Sequence, residues 1–172
     1  ALRGDLDFIG INLYSRQIIA NAPNDRNLGT VGVPGPGPRT AFGWEVWPAA
    51  LYRMITRVTK DYGRRPIYVT ENGCSYPERP GADGRVHDDQ RIEFLRGYIG
   101  QAARALDEGA DLRGYYLWTL IDNFEWATGY SQRFGIVDVD HAGDLKRTIK
   151  DSGYWYRDLI ARGEIAYDET LV

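Results

Sequence analysis

Apolar residues along the chain alternate between compact runs and stripes at helical spacing. Residues 6–14 form a short run holding Phe8, Ile9 and Ile11, which predicts a strand. About 30 residues follow in which GTVGVPGPGPR concentrates Gly and Pro, a composition that predicts a long functional loop. In WPAALYRMITRVTKDYG, Leu51, Ile55, Val58 and Tyr62 stand 4, 3 and 4 apart, the spacing of one helix face, and Gly63 is placed to cap it. Arg65-Pro66 leads into a second strand at Ile67-Tyr68-Val69, and YPERPGADGR reads as a polar loop. The helical stripe then recurs at Ile92, Leu95, Ile99, Ala102 and Leu106. A third strand over residues 114–120 precedes the loop DNFEWATGYSQR, a short apolar segment FGIVDVD, and a last helix carrying Trp155, Leu159 and Ile160. Strand and helix in repeated alternation predict an α/β fold, a parallel sheet covered by helices.

The second strand raises a question of its own, because PIYVTENGC ends an apolar run on Thr70-Glu71-Asn72-Gly73. An ionised carboxylate at the end of a core strand is costly unless it is paired, hydrogen-bonded or used in chemistry. The other polar and aromatic clusters fall at equivalent places: Asn12 and Tyr14 close the first strand, and the stretch from Trp118 to Trp126 follows the third. In parallel α/β folds that edge binds ligands, because the strand-to-loop junctions converge there. Glu71 is therefore expected to be a site residue.

Composition narrows the partners. The 172 residues are 43% hydrophobic, enough for the core of one domain, and a net charge of −3 from dispersed residues gives no reason to expect nucleic acid or an anionic membrane. No apolar run approaches the roughly 20 residues of a membrane span. The stretch ALRGDLDFIG lacks a signal-peptide layout, and the single cysteine, Cys74, excludes an internal disulfide and fits a cytoplasmic location. Cys74 has no neighbouring His and reads as a small packing residue. His87 and His141 lie far apart without a ligand spacing, and DVDHAGD lacks the calcium-loop pattern and reads as a turn, so no metal or cofactor is expected. Twelve Tyr and five Trp are the unusual excess, and aromatic faces beside polar groups suit sugars.

The segments DFIGINLYS, TAFGWEVWP, PIYVTENG and GYYLWTLIDNFEWATGYSQRFGIVDVD resemble the C-terminal part of glycoside hydrolase family 1, the β-glucosidase family of (β/α)8 barrels. The likeness runs from about Leu6 to Ile160. It implies that Glu71 is the catalytic nucleophile, that Tyr14 donates to its carboxylate, and that Asn12 helps line the site. It further implies that Trp118 forms the floor under the sugar ring, that Glu125 and Trp126 bind sugar hydroxyls, that Phe134 closes the pocket and that Trp44 faces the leaving group. Taken singly, the tryptophans would read as core or rim aromatics; their motif positions reverse that. The resembled family turns the chain after its Trp through a cis peptide, which implies cis Trp118–Thr119 where the native barrel surrounds it and trans, with a disordered loop, where the strands that hold the turn are missing.

Retaining glycosidases need two carboxylates about 5–5.5 Å apart, one to attack the anomeric carbon and one to protonate the leaving oxygen. The family's acid/base glutamate lies in an N-E-P motif on an earlier strand, and no N-E-P occurs here. Spacing alone would leave Glu71 and Glu125 as the candidate pair; the resemblance assigns Glu125 to sugar binding. A complete barrel takes about 250 residues and eight strands. The expectation is thus a C-terminal fragment, about three βα units of a TIM barrel spanning residues 1–172, with the N-terminal strands absent. Its expected partners are a β-glucoside or oligosaccharide and either a complementary N-terminal barrel fragment or a second copy of itself. The isolated chain is expected to be inactive; the alternative reading is an inactive half-barrel, engineered for assembly or acting as a sugar-binding module.

Overall fold

The structure, a computed structural model, describes residues 6–24 and 28–171. Its centre is a parallel sheet of three strands, β1 (Ile9–Asn12), β4 (Ile67–Asn72) and β5 (Leu112–Leu117), in the order β1-β4-β5. Between β1 and β4 runs helix α1 (Ala49–Tyr62), between β4 and β5 helix α2 (Asp89–Asp107), and the last helix is α3 (Asp151–Arg162). Ile11, Ile67 and Val69 of the sheet pack in one core with Leu51 and Ile55 of α1 and Phe94, Leu95 and Tyr98 of α2. The helices cover one face of the sheet. Phe8 before β1 and Tyr116 of β5 are 54% and 58% exposed. Within the described residues both outer strands, β1 and β5, have one neighbour each. A βαβαβα segment of this kind matches the α/β architecture expected from the sequence.

The helical stripes differ in detail from those predicted. Leu51 and Ile55 are fully buried, but Tyr62 is two-thirds exposed, because α1 outlasts the surface on which it packs. On α2 the buried face is Arg91, Phe94, Leu95, Tyr98, Ala102 and Ala105, while Leu106 is exposed. The stripe is rotated because Phe94 and Tyr98 stack at 4.2 Å and because a charged residue, Arg91, belongs to it. Ile160 of α3 is likewise exposed, and Leu159 is the buried member of that pair.

Two segments not predicted as strands carry them: one read as a loop and one as a short apolar segment. The Gly- and Pro-rich stretch contains an antiparallel hairpin, β2 (Ile18–Asn21) with β3 (Thr30–Val33). Its strands have no buried face, so no apolar alternation betrays them. The segment FGIVDVD supplies β6 (Val137–Val139), which pairs antiparallel with β7 (Arg147–Ile149), and DVDHAGD contributes the turn between them.

Strand β4 contains the irregularity that matters most. Ile11 pairs with Val69 but Asn12 pairs with Glu71, and on the other side Val69 pairs with Tyr115 but Asn72 with Leu117. One extra residue of β4 is therefore inserted against both neighbours. Side chains alternate across a sheet, so without that bulge Glu71 would share the core face with Ile67 and Val69. The bulge puts Asn72 on the core face instead, where it is fully buried, and turns Glu71 to the uncovered side.

Candidate active site

Glu71 sits at the C-terminal end of β4, and Tyr14, two residues beyond β1, donates its hydroxyl to Glu71 Oε2 at 2.6 Å. Burial, this hydrogen bond and the carboxylates of Glu71 and Glu125 push the Tyr14 phenol far above the usual tyrosine range. It therefore stays protonated and acts as a donor throughout the physiological range.

Behind the carboxylate lies a buried amide bonded at both its oxygen and its nitrogen. Asn72 donates from Nδ2 to the Leu13 carbonyl at 2.6 Å and accepts from the Tyr115 hydroxyl. Tyr115 accepts in turn at its carbonyl from the Tyr156 hydroxyl of α3 at 3.3 Å. The amide thus locks the end of β4 to the segment carrying Tyr14. Gly73 completes the arrangement, since a Cβ there would fall 1.8 Å from the Trp118 carbonyl oxygen. The Asn-Gly half of Thr-Glu-Asn-Gly is thus explained by close packing against β5 and its exit.

The third wall comes from the chain after β5. The Trp118–Thr119 peptide is cis, and the loop that follows it is described throughout. Trp118 donates from Nε1 to Glu125 Oε2 at 3.4 Å. Trp118, Glu125, Trp126 and Phe134 join Tyr14, Phe42, Trp44 and Glu71 around a pocket of 340 Å³ at the C-terminal edge of the sheet. Trp44 lies 5.0 Å from the Tyr14 ring and 5.9 Å from the Phe134 ring, so the three aromatics form one continuous wall. Phe134 is buried within it, whereas Trp126 stands at the lip with 83% of its surface exposed. Asn12 lies outside the pocket, on the uncovered sheet face, where its Oδ1 accepts from the Thr70 hydroxyl at 2.6 Å.

Phe42 is the pocket residue that sequence reasoning missed. Its ring lies 4.3 Å from Trp44 and 5.9 Å from Phe134. The available signal was its place two residues before Trp44 in TAFGWEVWP, with the intervening Gly43 at φ +86° turning the chain so that both rings meet.

Buried charges brace the loops that carry these walls. Arg133 donates to Asp122 at 2.9 Å and Asp138 at 2.6 Å, and Lys150 donates to Asp122 at 3.1 Å. Burial pushes the Lys150 ammonium below its usual range and the Asp122 carboxyl above its own. Arg91 of α2 reaches the same region: Nε donates to Asp88 at 2.8 Å, Nη2 to the Arg133 carbonyl at 2.9 Å and Nη1 to the Cys74 carbonyl. Cys74 itself is buried, and burial pushes its thiol up to about 12, the behaviour of an inert packing residue.

Among the described residues no helix is long and apolar enough to cross a membrane, and no cluster of three His, Cys, Asp or Glu side chains is arranged to hold a metal ion. The site as described is an aromatic pocket with two carboxylates, one of them fixed by a tyrosine hydroxyl.

Comparison with known proteins places this arrangement. The chain is 45% identical over 155 residues to beta-glucosidase A of Thermotoga maritima, covering 90% of this chain and 34% of that protein. It is 36% identical over 179 residues to a 6-phospho-beta-galactosidase of Streptococcus equi subsp. zooepidemicus, covering 93% of this chain and 38% of that protein. A solved structure of the Thermotoga maritima beta-glucosidase in complex with deoxynojirimycin superposes with a TM-score of 0.89 at 43% identity, covering 94% of this chain and 36% of that one. The chain thus spans about a third of the length of the relatives it matches. The family model for glycosyl hydrolase family 1 matches residues 1–165, and the chain belongs to that family.

Proposed function

We propose that this chain carries the nucleophile side of a retaining β-glycosidase site that acts on β-linked glucosides. The observation that carries the reading is the Tyr14–Glu71 hydrogen bond of 2.6 Å inside an aromatic pocket. A hydroxyl donor orients one oxygen of the carboxylate and leaves the other free to attack. In the first step a Glu71 oxygen bonds to the anomeric carbon while the bond to the leaving oxygen breaks and that oxygen takes a proton from the acid/base carboxylate. In the second, water deprotonated by the same group displaces Glu71. The acid/base group is supplied by strands outside this chain, which the chain's share of its relatives' length and the missing N-E-P motif both support. Trp118 stacks on the sugar ring, and Glu125 accepts from its hydroxyls.

The test is a mechanism-based label applied to the full-length barrel protein. A 2-deoxy-2-fluoroglucoside with a reactive leaving group needs no acid to depart, so the reading expects one stable glycosyl ester on the peptide containing Glu71. An ester on Glu125, or no ester at all, would sink it.

The pocket also supports a neutral sugar over a phosphorylated one, although 6-phospho-glycosidases occur among the relatives. Glu71 and Glu125 line it, and among the described residues no Lys or Arg does. Two carboxylates facing a dianionic phosphate cost several kcal/mol, so kcat/KM for an aryl 6-phospho-β-glucoside should fall about 100-fold or more below that for the aryl β-glucoside. Equal values in parallel assays would contradict this.

A further inference from the structure

Trp44 stands between two cavities. On one side it lines the pocket of Glu71, and on the other a cleft of 350 Å³ that also borders Arg16, Gly35 and Glu45. Trp44 packs against Tyr14, Phe42 and Phe134, but the open cleft leaves part of the indole without dispersion contacts, so its neighbours in the chain also set its position.

Those neighbours form a clamp. Glu45, the next residue, is 5% exposed and accepts a fork from the Arg16 guanidinium, with Nε at 2.8 Å and Nη2 at 3.1 Å. It also accepts from the Gly37 backbone N–H at 2.9 Å. A Cβ on Gly35 would lie 2.1 Å from Glu45 Oε2, so the Gly-Pro loop encloses the carboxylate only because that residue has no side chain. Arg16 is anchored from behind by Trp47, whose ring centroid is 3.8 Å away, and Ser15 donates to the Glu45 carbonyl at 3.1 Å. Tyr14 lies two residues before Arg16, and Trp44 one before Glu45. Their rings meet at 5.0 Å.

A bidentate Arg–carboxylate pair fixes both distance and orientation, which a single point charge does not. We propose that Arg16 and Glu45 are positioning residues whose fork sets Trp44 against Tyr14 and thereby the selectivity of the site for the leaving group. Neither side chain lines the Glu71 pocket, so neither touches the sugar there. The selectivity part rests on the β-glucosidase reading; the placement of Trp44 does not.

The test compares Glu45→Gln and Arg16→Lys with the unsubstituted full-length barrel protein. The Trp44 indole N–H resonance is assigned with Trp44→Phe, and kinetics are measured on an aryl and an alkyl β-glucoside. Glu45→Gln is expected to move that resonance and to raise KM for the aryl substrate about tenfold with kcat little changed, lowering the aryl-to-alkyl ratio of kcat/KM. Arg16→Lys keeps the charge, loses the fork and should fall between. If the protein is active and the ratio is unchanged in both variants, the proposal is overturned. If no form hydrolyses glucosides but the resonance moves, the clamp stands and the glucosidase reading fails; if it does not move, both fail. Should Glu45→Gln fail to fold, Arg16→Lys decides by the same readouts.

Discussion

Replacing Glu71 by Gln in the full-length barrel protein is expected to lower kcat on aryl β-glucosides by about four orders of magnitude while sugar binding stays nearly unchanged. The substitution removes the attacking oxygen's charge but keeps the shape of the side chain. Tyr14 can still donate to the amide oxygen, at the site where it now meets Glu71 Oε2 at 2.6 Å. Trp118, Glu125 and Phe134 keep their places around the pocket. Rates on an aryl glucoside and a titration with methyl β-glucoside would measure the two effects separately. A loss of less than about tenfold would assign the attack to another group. A parallel loss of binding would mean that Glu71 holds the sugar rather than attacks it.

Arg91→Met is expected to be strongly destabilising. The Arg91 side chain is 1% exposed and serves Asp88, the Cys74 carbonyl and the Arg133 carbonyl at once. Met fills much of the volume but leaves the Cys74, Phe134 and Arg133 carbonyls without this donor and the buried Asp88 carboxylate with only the Ser152 backbone and hydroxyl as donors. Removing one partner of such a buried pair costs about 3–5 kcal/mol. Urea unfolding with an unchanged slope would measure it. A loss below about 0.5 kcal/mol, the scale of an ordinary surface substitution, would show that the carbonyls find other donors. The change also reaches the site, because Cys74 lies three residues beyond Glu71 and Arg133 directly precedes Phe134. The corresponding exposed pair, Arg57 with Asp61, should tolerate replacement without a measurable shift in the midpoint.

The two expected results draw on different kinds of information. Glu71 stood out in the sequence because a carboxylate at the end of an apolar run is anomalous and because the motif around it is long. Arg91 did not stand out, because on a helix a charged residue between apolar ones reads as part of the solvent face. Its burial follows from Asp88 and from backbone carbonyls of two loops, none of which is visible as periodicity. Phe42 and the β2–β3 hairpin escaped for a similar reason. Phe42 joins the pocket through a turn at Gly43, and the hairpin has no buried face to give it an alternating pattern.

Spacing and residue type along the chain set the order of the three sheet strands and the three helices, the class of fold and the chemical identity of the groups at the ends of those strands. These follow from spacing and residue type within a single element, which the chain states locally. Tertiary structure decided which face each group takes. The extra residue in β4 turns Glu71 out of the core and Asn72 into it, and only pairing with β1 and β5 defines that slip. Tyr14 meets Glu71 across 57 positions of sequence, and Arg133 shares its carboxylate with Lys150 through the hairpin between them. Register and the partner of a buried charge are properties of two elements at once, and no pattern within one element encodes them.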